Sequence, residues 1–199
     1  MSLLFETIKV AQNALLDLDY HRARVNRSRC RLFSANDEWD LRSLIQLPEL
    51  DPDVVYKCRF VYGEKVQSVE VQPYVMRTVR TLKLVECPAI EYSLKYADRS
   101  SLDKVKQENP SYDDVIFVQN NKITDCSFAN IVFYDGMKWV TPAKPLLKGT
   151  KRQKYLDSQV IFEQDITVSD LKLFTKARII NAMIDLDDCP DIPAGNIAR

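Results

Sequence analysis

The 199-residue sequence has no excess of charge of either sign, with 28 Lys plus Arg against 28 Asp plus Glu. No global field therefore draws the chain to nucleic acid or to an anionic membrane. It has one histidine, His21, so a histidine triad or a multi-histidine metal site would have to be built around that residue alone. Its five cysteines (Cys30, Cys58, Cys87, Cys126 and Cys189) are odd in number and include no Cys-x-x-Cys pair. That pattern argues against a disulfide framework and a zinc site, and for a reducing compartment. No window approaches the roughly 18 apolar residues of a membrane span. The first ten residues lack the basic region and cleavage site of a signal peptide. Internal repeats and low-complexity tracts are absent too. What remains is a 46% hydrophobic, 28% charged chain, the profile of a cytoplasmic globular protein able to bury a sizeable core.

Patterning predicts an α+β fold in two lobes, residues 1–86 and 87–199, divided near Pro88. In the first, residues 5–10 and 14–18 read as short strands around a turn. Asp19 reads as the cap of a helix over 20–32, and a second helix is expected over 38–45. Residues 54–62 and 66–71 flank Gly63-Glu64-Lys65 as a hairpin, and 76–85 is β-like. In the second lobe, 89–96 alternates like a strand and 101–107 reads as a short helix. Residues 115–119 and 122–125 flank an Asn120-Asn121 turn, and 131–134 and 138–141 flank Asp135-Gly136. A helix is expected over 150–162, a helical turn from Ser169 or Asp170, and a strand over 177–181.

Residues 123–152 together with Lys95 are the chemically informative part. If 89–96 is a strand, Lys95 shares a face with Glu91 and Ser93 and, taken alone, reads as a solvated lysine. As a Schiff-base amine it would need desolvation or a neighbouring cation to lower its pKa. Asp125 lies among apolar and small residues, which reads either as a buried acid in need of a partner or as an acid on the wet face of a hairpin. Leu147-Lys148-Gly149-Thr150-Lys151-Arg152 opens a helix, where glycine permits close approach of an anion and the free N–H groups and dipole attract it. An amine, an acid and an anion cup are the parts of a pyridoxal-phosphate site. The helix over 20–32 places Arg24, Arg27 and Arg31 at i, i+3, i+7. With a neutral chain, one phosphate-contacting arginine is the better reading than a nucleic-acid helix.

Set in order, these motifs resemble the class IV aminotransferases, the fold type IV pyridoxal-phosphate enzymes that include branched-chain and D-amino acid aminotransferases and aminodeoxychorismate lyase. Residues 5–10 are similar to the family's first strand, and His21-Arg22-Ala23-Arg24 to its His-x-x-Arg helix. Lys95-Tyr96-Ala97-Asp98-Arg99 resembles the lyase's Lys-x-x-Asn-Arg. Asp125 through Asn130 resembles Glu-x-x-x-x-Asn, with aspartate in place of glutamate. Gly149-Thr150-Lys151-Arg152 fits Gly-x-x-Arg, and Asn181-Ala182-Met183 leans toward the lyases.

The resemblance implies a fold type IV architecture with the cofactor, pyridoxal 5'-phosphate (PLP), between two lobes. Lys95 and Asp125 would be catalytic, and Arg24, Asn130, Gly149, Thr150, Lys151, Asn181 and Ala182 cofactor-binding, with no metal. The implied activity is conversion of 4-amino-4-deoxychorismate to 4-aminobenzoate and pyruvate in folate synthesis. An amino-acid aminotransferase is the alternative, and a non-catalytic PLP-fold binding protein the reading from another class. A small-molecule substrate and a homodimer are expected, without nucleic acid or membrane partners. Arg99 would be structural or would meet a substrate carboxylate, the structural role being favoured.

Overall fold

The computed structural model describes residues 2–199. The chain sorts into two compact units, Met1–Met76 with Leu94–Asp98, and Arg77–Ser93 with Arg99–Arg199.

In the first unit, β1 (Leu4–Ala11) and β2 (Ala14–Leu15) form the expected hairpin. Its turn residues Gln12 and Asn13 have φ of 49° and 59°, the positive values a two-residue hairpin turn requires. Helix α1 (Leu18–Phe33) starts before the predicted cap: Asp17 takes the cap position in a left-handed conformation, and Asp19 lies in the first turn, where a negative charge favours the helix dipole. The second helix shrinks to α2 (Leu41–Leu44), capped by the Asp40 side chain. Asn26 explains the loss. Its amide accepts from Trp39 N at 2.9 Å and donates to Trp39 O at 3.1 Å, diverting to α1 the carbonyl that a longer helix would use. β3 (Tyr56–Tyr62) and β4 (Val66–Pro73) complete an antiparallel sheet of order β2-β1-β3-β4. Leu4, Ile8, Val10, Val25, Leu41, Cys58, Phe60 and Tyr62 form its core.

The second unit is a nine-stranded mixed sheet. β5 (Leu82–Glu86) runs parallel to β6 (Asp114–Gln119), so residues 77–86, expected with the N-terminal lobe, belong here. α3 (Ser100–Gln107) is as expected. Residues 89–96 do not form a strand. Tyr92 and Leu94 are buried and Glu91 and Ser93 exposed, so the alternation is real, but only Tyr96 makes a bridge, to Leu4 within the first unit. The predicted shared strand face of Glu91, Ser93 and Lys95 therefore has no ladder beneath it.

β7 (Lys122–Cys126) follows β6 through Asn120 and Asn121, with φ of 51° and 62°. β8 (Asn130–Tyr134) turns through Gly136, at φ 102°, into β9 (Trp139–Pro142). Helix α4 (Thr150–Asp157) stops short of the predicted residue 162, because Gln159 turns left-handed (φ 56°) and the chain enters β10 (Ile161–Gln164), parallel to β9. A 3-10 turn at Val168–Leu173 is capped by Thr167, earlier than the expected opening at Ser169 or Asp170. β11 (Lys176–Ile180) lies along β8, β12 (Ile192–Pro193) pairs with β11, and β13 (Ile197–Ala198) with β5. Among the described residues no helix is long and apolar enough to cross a membrane.

Asn26→Ala removes both bonds that hold Trp39. It is expected to cost about 1–3 kcal/mol in urea unfolding, with a shift in Trp39 emission before the main transition. An unaltered midpoint and spectrum would show that the clamp does not set the length of α2.

Candidate active site

The sequence-predicted residues fall in both units. In the first, Leu4, Glu6, Ile8 and Val10 alternate toward the core, and Glu6 is fully buried among them. His21 and Arg24, at i and i+3 on α1, reach it from the helix. His21 Nδ1 lies 2.6 Å from Glu6 Oε2, Arg24 Nε donates to Oε1 at 2.9 Å, and Arg24 Nη2 donates to Oε2 at 2.5 Å. Burial pushes the Glu6 carboxyl up, but Arg24 and His21 outweigh it and hold it at about 2. Burial also lowers the pKa of His21, against the pull of Glu6. Sequence reasoning missed Glu6, although the signal was present: an acid in phase with the apolar residues of a strand must be buried and paired.

Of the three arginines at i, i+3, i+7 on α1, only Arg24 is buried. The buried residues are Leu18, His21, Arg24, Val25, Ser28 and Arg29, while Arg27 and Arg31 are exposed. Arg29 pairs with Asp37 at 2.9 Å and lies over the Trp39 ring, 3.6 Å from its centroid. Lys95 sits on an irregular segment whose backbone is pinned to β1, its carbonyl accepting from Phe5 N at 3.0 Å. Its Nζ lies 4.6 Å from the Phe5 ring centroid, and it is half-buried rather than solvated.

In the second unit, Asp125 is buried rather than on a wet face. Its Oδ1 accepts from Asn130 Nδ2 at 2.7 Å and its Oδ2 from Leu147 N at 2.9 Å; Asn130 Nδ2 also donates to Leu147 O at 2.9 Å. A Cβ on Gly149 would fall 2.0 Å from Asn130 Oδ1, so the glycine permits this close approach ahead of α4. Burial pushes the Asp125 carboxyl up to about 6, opposed by the Leu147 and Asn130 bonds and by Arg152.

Thr150, Lys151 and Arg152 open α4 and are all buried. Lys151 Nζ meets Asp185 Oδ1 at 2.5 Å, and Arg152 binds Glu163 at 2.7 Å and the Pro142 carbonyl at 2.9 Å. These two cations are thus matched by carboxylates within the unit, and the anion-attracting feature of the turn is the helix N-terminus. Asn181 Oδ1 accepts from Met183 N at 2.8 Å and Ile184 N at 3.1 Å, forming a tight turn around Ala182, and its Nδ2 donates to Phe128 O at 3.3 Å. Arg99 donates to Ser127 O at 2.8 Å. With Asp114 Oδ2, which accepts from Ser127 N at 3.2 Å, it pins the loop after Asp125, the structural role favoured for it.

The profile of the class IV amino-transferase family matches residues 93–186. Over 182 residues the chain is 37% identical to an uncharacterised protein of Haemophilus influenzae, covering 90% of this chain and 97% of that one. It is similar to a solved Haemophilus somnus protein provisionally named a 4-amino-4-deoxychorismate lyase, at 31% identity and a TM-score of 0.86, covering 94% of this chain and 98% of that one. A hypothetical aminotransferase of Mycobacterium tuberculosis, solved with PLP bound, shares the fold with a TM-score of 0.74 at 16% identity, covering 98% of this chain and 81% of that one. The fold is that of the class IV PLP enzymes. The chain belongs to the class IV aminotransferase family.

Two of the three buried carboxylates, Glu6 and Asp125, predict opposite pH responses. The folded pKa of Glu6 is depressed, so its contribution is present above about pH 4.5 and is lost as pH falls toward 2. Glu6→Gln strands Arg24 and is expected to cost about 3–5 kcal/mol at neutral pH. The folded pKa of Asp125 is raised from 3.8 to about 6, so cofactor-free protein loses roughly 3 kcal/mol from this group as pH rises between those values. Urea midpoints measured across pH should show that loss in the parent and not in Asp125→Asn. Identical profiles would mean that Asp125 has the same pKa folded and unfolded.

Proposed function

We propose that the protein is a PLP-dependent lyase that converts 4-amino-4-deoxychorismate to 4-aminobenzoate and pyruvate, a step of folate synthesis. The observation that carries the reading is Asp125, an enclosed carboxyl bonded to neutral N–H donors, whose remaining acceptor capacity suits a protonated pyridine nitrogen. The N-terminus of α4, with Gly149 ahead of it, suits a phosphate. Similarity to the Haemophilus somnus protein and the Asn181-Ala182-Met183 turn support the lyase over other reactions of the family.

Bound PLP supplies an electron sink for the carbon that carries the substrate amine. Lys95 would hold the cofactor through its amine and, once displaced by the substrate amine, take the proton from that carbon. Asp125 would keep a proton on the ring nitrogen, and Asn130 would fix the orientation of Asp125. Arg24, Thr150, Lys151, Asn181 and Ala182 would hold the phosphate, several of them through backbone N–H groups beside Gly149 and in the Asn181 turn. Glu6 would lock the Arg24 guanidinium in one orientation. Loss of the enolpyruvyl group as pyruvate aromatises the substrate ring, and the two products account for every atom of the substrate. A cytoplasmic homodimer is part of the same proposal.

An amino-acid aminotransferase is the second reading, favoured by the fold shared with the Mycobacterium tuberculosis protein. It would use the same lysine and acid and return the amino group to a keto acid. The test incubates purified protein with 4-amino-4-deoxychorismate, and separately with amino acids and keto acids. Sustained release of 4-aminobenzoate and pyruvate in equal amounts without a keto acid is expected. Turnover only with a keto-acid acceptor would replace the lyase by the aminotransferase. Lys95→Ala should lower turnover roughly 10²–10⁴-fold and abolish the visible absorbance of bound cofactor. Protein that takes up no cofactor would remove both enzymes in favour of a non-catalytic fold relative.

A further inference from the structure

The face of the first-unit sheet turned away from its core carries an unanswered charge. Along β1, Phe5, Thr7 and Lys9 alternate out of phase with the core residues Leu4, Glu6, Ile8 and Val10. Antiparallel pairing places Val61, Arg59 and Lys57 directly opposite those three, and Ser68, Glu70 and Gln72 opposite these in turn. Residues paired in this way share a face. The Arg59 guanidinium carbon lies 4.7 Å from the Phe5 ring centroid, and Lys95 Nζ lies 4.6 Å from the same centroid. One aromatic ring therefore carries both the amine read as reactive and an arginine.

Arg59 differs from the other arginines that are not fully exposed. Arg24 binds Glu6, Arg29 binds Asp37, Arg99 binds Asp103 and Ser127, Arg152 binds Glu163, and Arg178 binds Asp191. Arg59 is half-buried and makes no hydrogen bond or ion pair among the described residues, where it lies against the Phe5 ring. Glu70, directly opposite it, is bonded instead to Ser68 at 3.2 Å. A partly desolvated guanidinium without an anion is an unfilled valence for a carboxylate, which it can grip through two parallel N–H bonds.

We propose that Arg59 is a specificity-determining residue that binds a carboxylate of the substrate whose amine engages Lys95. The inference rests on Lys95 being the reactive amine of the proposed function. It adds the residue that holds the carboxylate of that substrate, with the Phe5 ring fixing the direction from which the guanidinium acts. Lys57 and Lys9, successive across the same face, add positive potential on that side of Arg59.

The test uses cofactor-loaded protein and a matched pair of ligands, 4-aminobenzoate and its uncharged amide, 4-aminobenzamide, with affinities measured by calorimetry. Arg59→Gln should weaken 4-aminobenzoate binding by about 10- to 100-fold and leave 4-aminobenzamide within about twofold. Arg59→Lys should recover part of the loss. KM should rise by the same factor as the carboxylate affinity falls, while kcat and the visible cofactor band stay near the parent values. Equal affinity of Arg59→Gln and parent for 4-aminobenzoate, or an equal loss for the amide, overturns the proposal. If the parent releases no 4-aminobenzoate, the lyase reading fails while Arg59 is judged on the amino acid that is turned over, against its carboxamide. If the parent distinguishes no carboxylate from its amide, the Arg59 assignment fails even where turnover stands.

Discussion

The second unit is organised around one enclosed carboxylate. Asp125 and Asn130 are the single paired position between β7 and β8, so the ladder alone does little to hold these strands. The side chains supply what the ladder lacks. Asn130 donates to Asp125 and to the Leu147 carbonyl, and the Leu147 N–H returns to Asp125. This triangle ties the strand, the next strand and the approach to α4 into one arrangement, and the absent side chain of Gly149 leaves room for it. Without these donors the buried oxygens would face the full desolvation penalty. The bonds that satisfy Asp125 thus also fix the approach to α4, while Arg99 and Asp114 hold the loop at 126–129.

Glu6 shows what a different set of donors does to the same chemical group. Both carboxylates are enclosed, and burial pushes both pKa values up. Around Glu6 the donors carry charge, and Arg24 and His21 bring it down to about 2. Around Asp125 the direct donors are a backbone N–H and a carboxamide, and burial prevails, leaving it at about 6. Glu6 is therefore a fixed anion that positions its helix, poorly suited to exchanging protons near neutrality. Asp125 stands close to the point where either protonation state is accessible, so the charge on a ligand can decide which is occupied. Division of labour between the two acids follows from the charge of their neighbours, not from the residues themselves.

Much of this was legible in the sequence where the information is local. The Gln12-Asn13, Asn120-Asn121 and Asp135-Gly136 turns fix their hairpins through backbone preference, and α3 follows its own pattern. The failures are those in which a distant group intervenes. Asn26 captures Trp39 and shortens α2; a left-handed Gln159 ends α4 and frees β10; residues 89–96 keep a strand's alternation without a partner strand along their length. Asp125 and Gly149 could be named from their surroundings and Asn130 from the family resemblance, but not that they meet at Leu147, since that bond belongs to a backbone far along the chain. Glu6 was readable in principle, because its phase along β1 matches Leu4, Ile8 and Val10. Arg59 was not, since the absence of a partner is a property of the folded neighbourhood.

The equality of positive and negative residues is a weak guide to anion binding for the same reason. A global balance of 28 against 28 removes a long-range field, yet a field matters to recruitment over many ångströms and not to a contact at hydrogen-bond distance. The arginine-rich look of α1 points the wrong way: Arg24 and Arg29 are buried against Glu6 and Asp37, while Arg22, Arg27 and Arg31 are exposed to water. Lys151 and Arg152 are likewise matched by Asp185 and Glu163, so their charge contributes mainly to the scaffold. Partial burial without an internal anion is one way a cation is kept for a ligand; a guanidinium oriented by a buried carboxylate, as Arg24 is by Glu6, is another. By the first measure the clusters of basic residues prominent in the sequence say little, and a single arginine on the outward face of β3 says more.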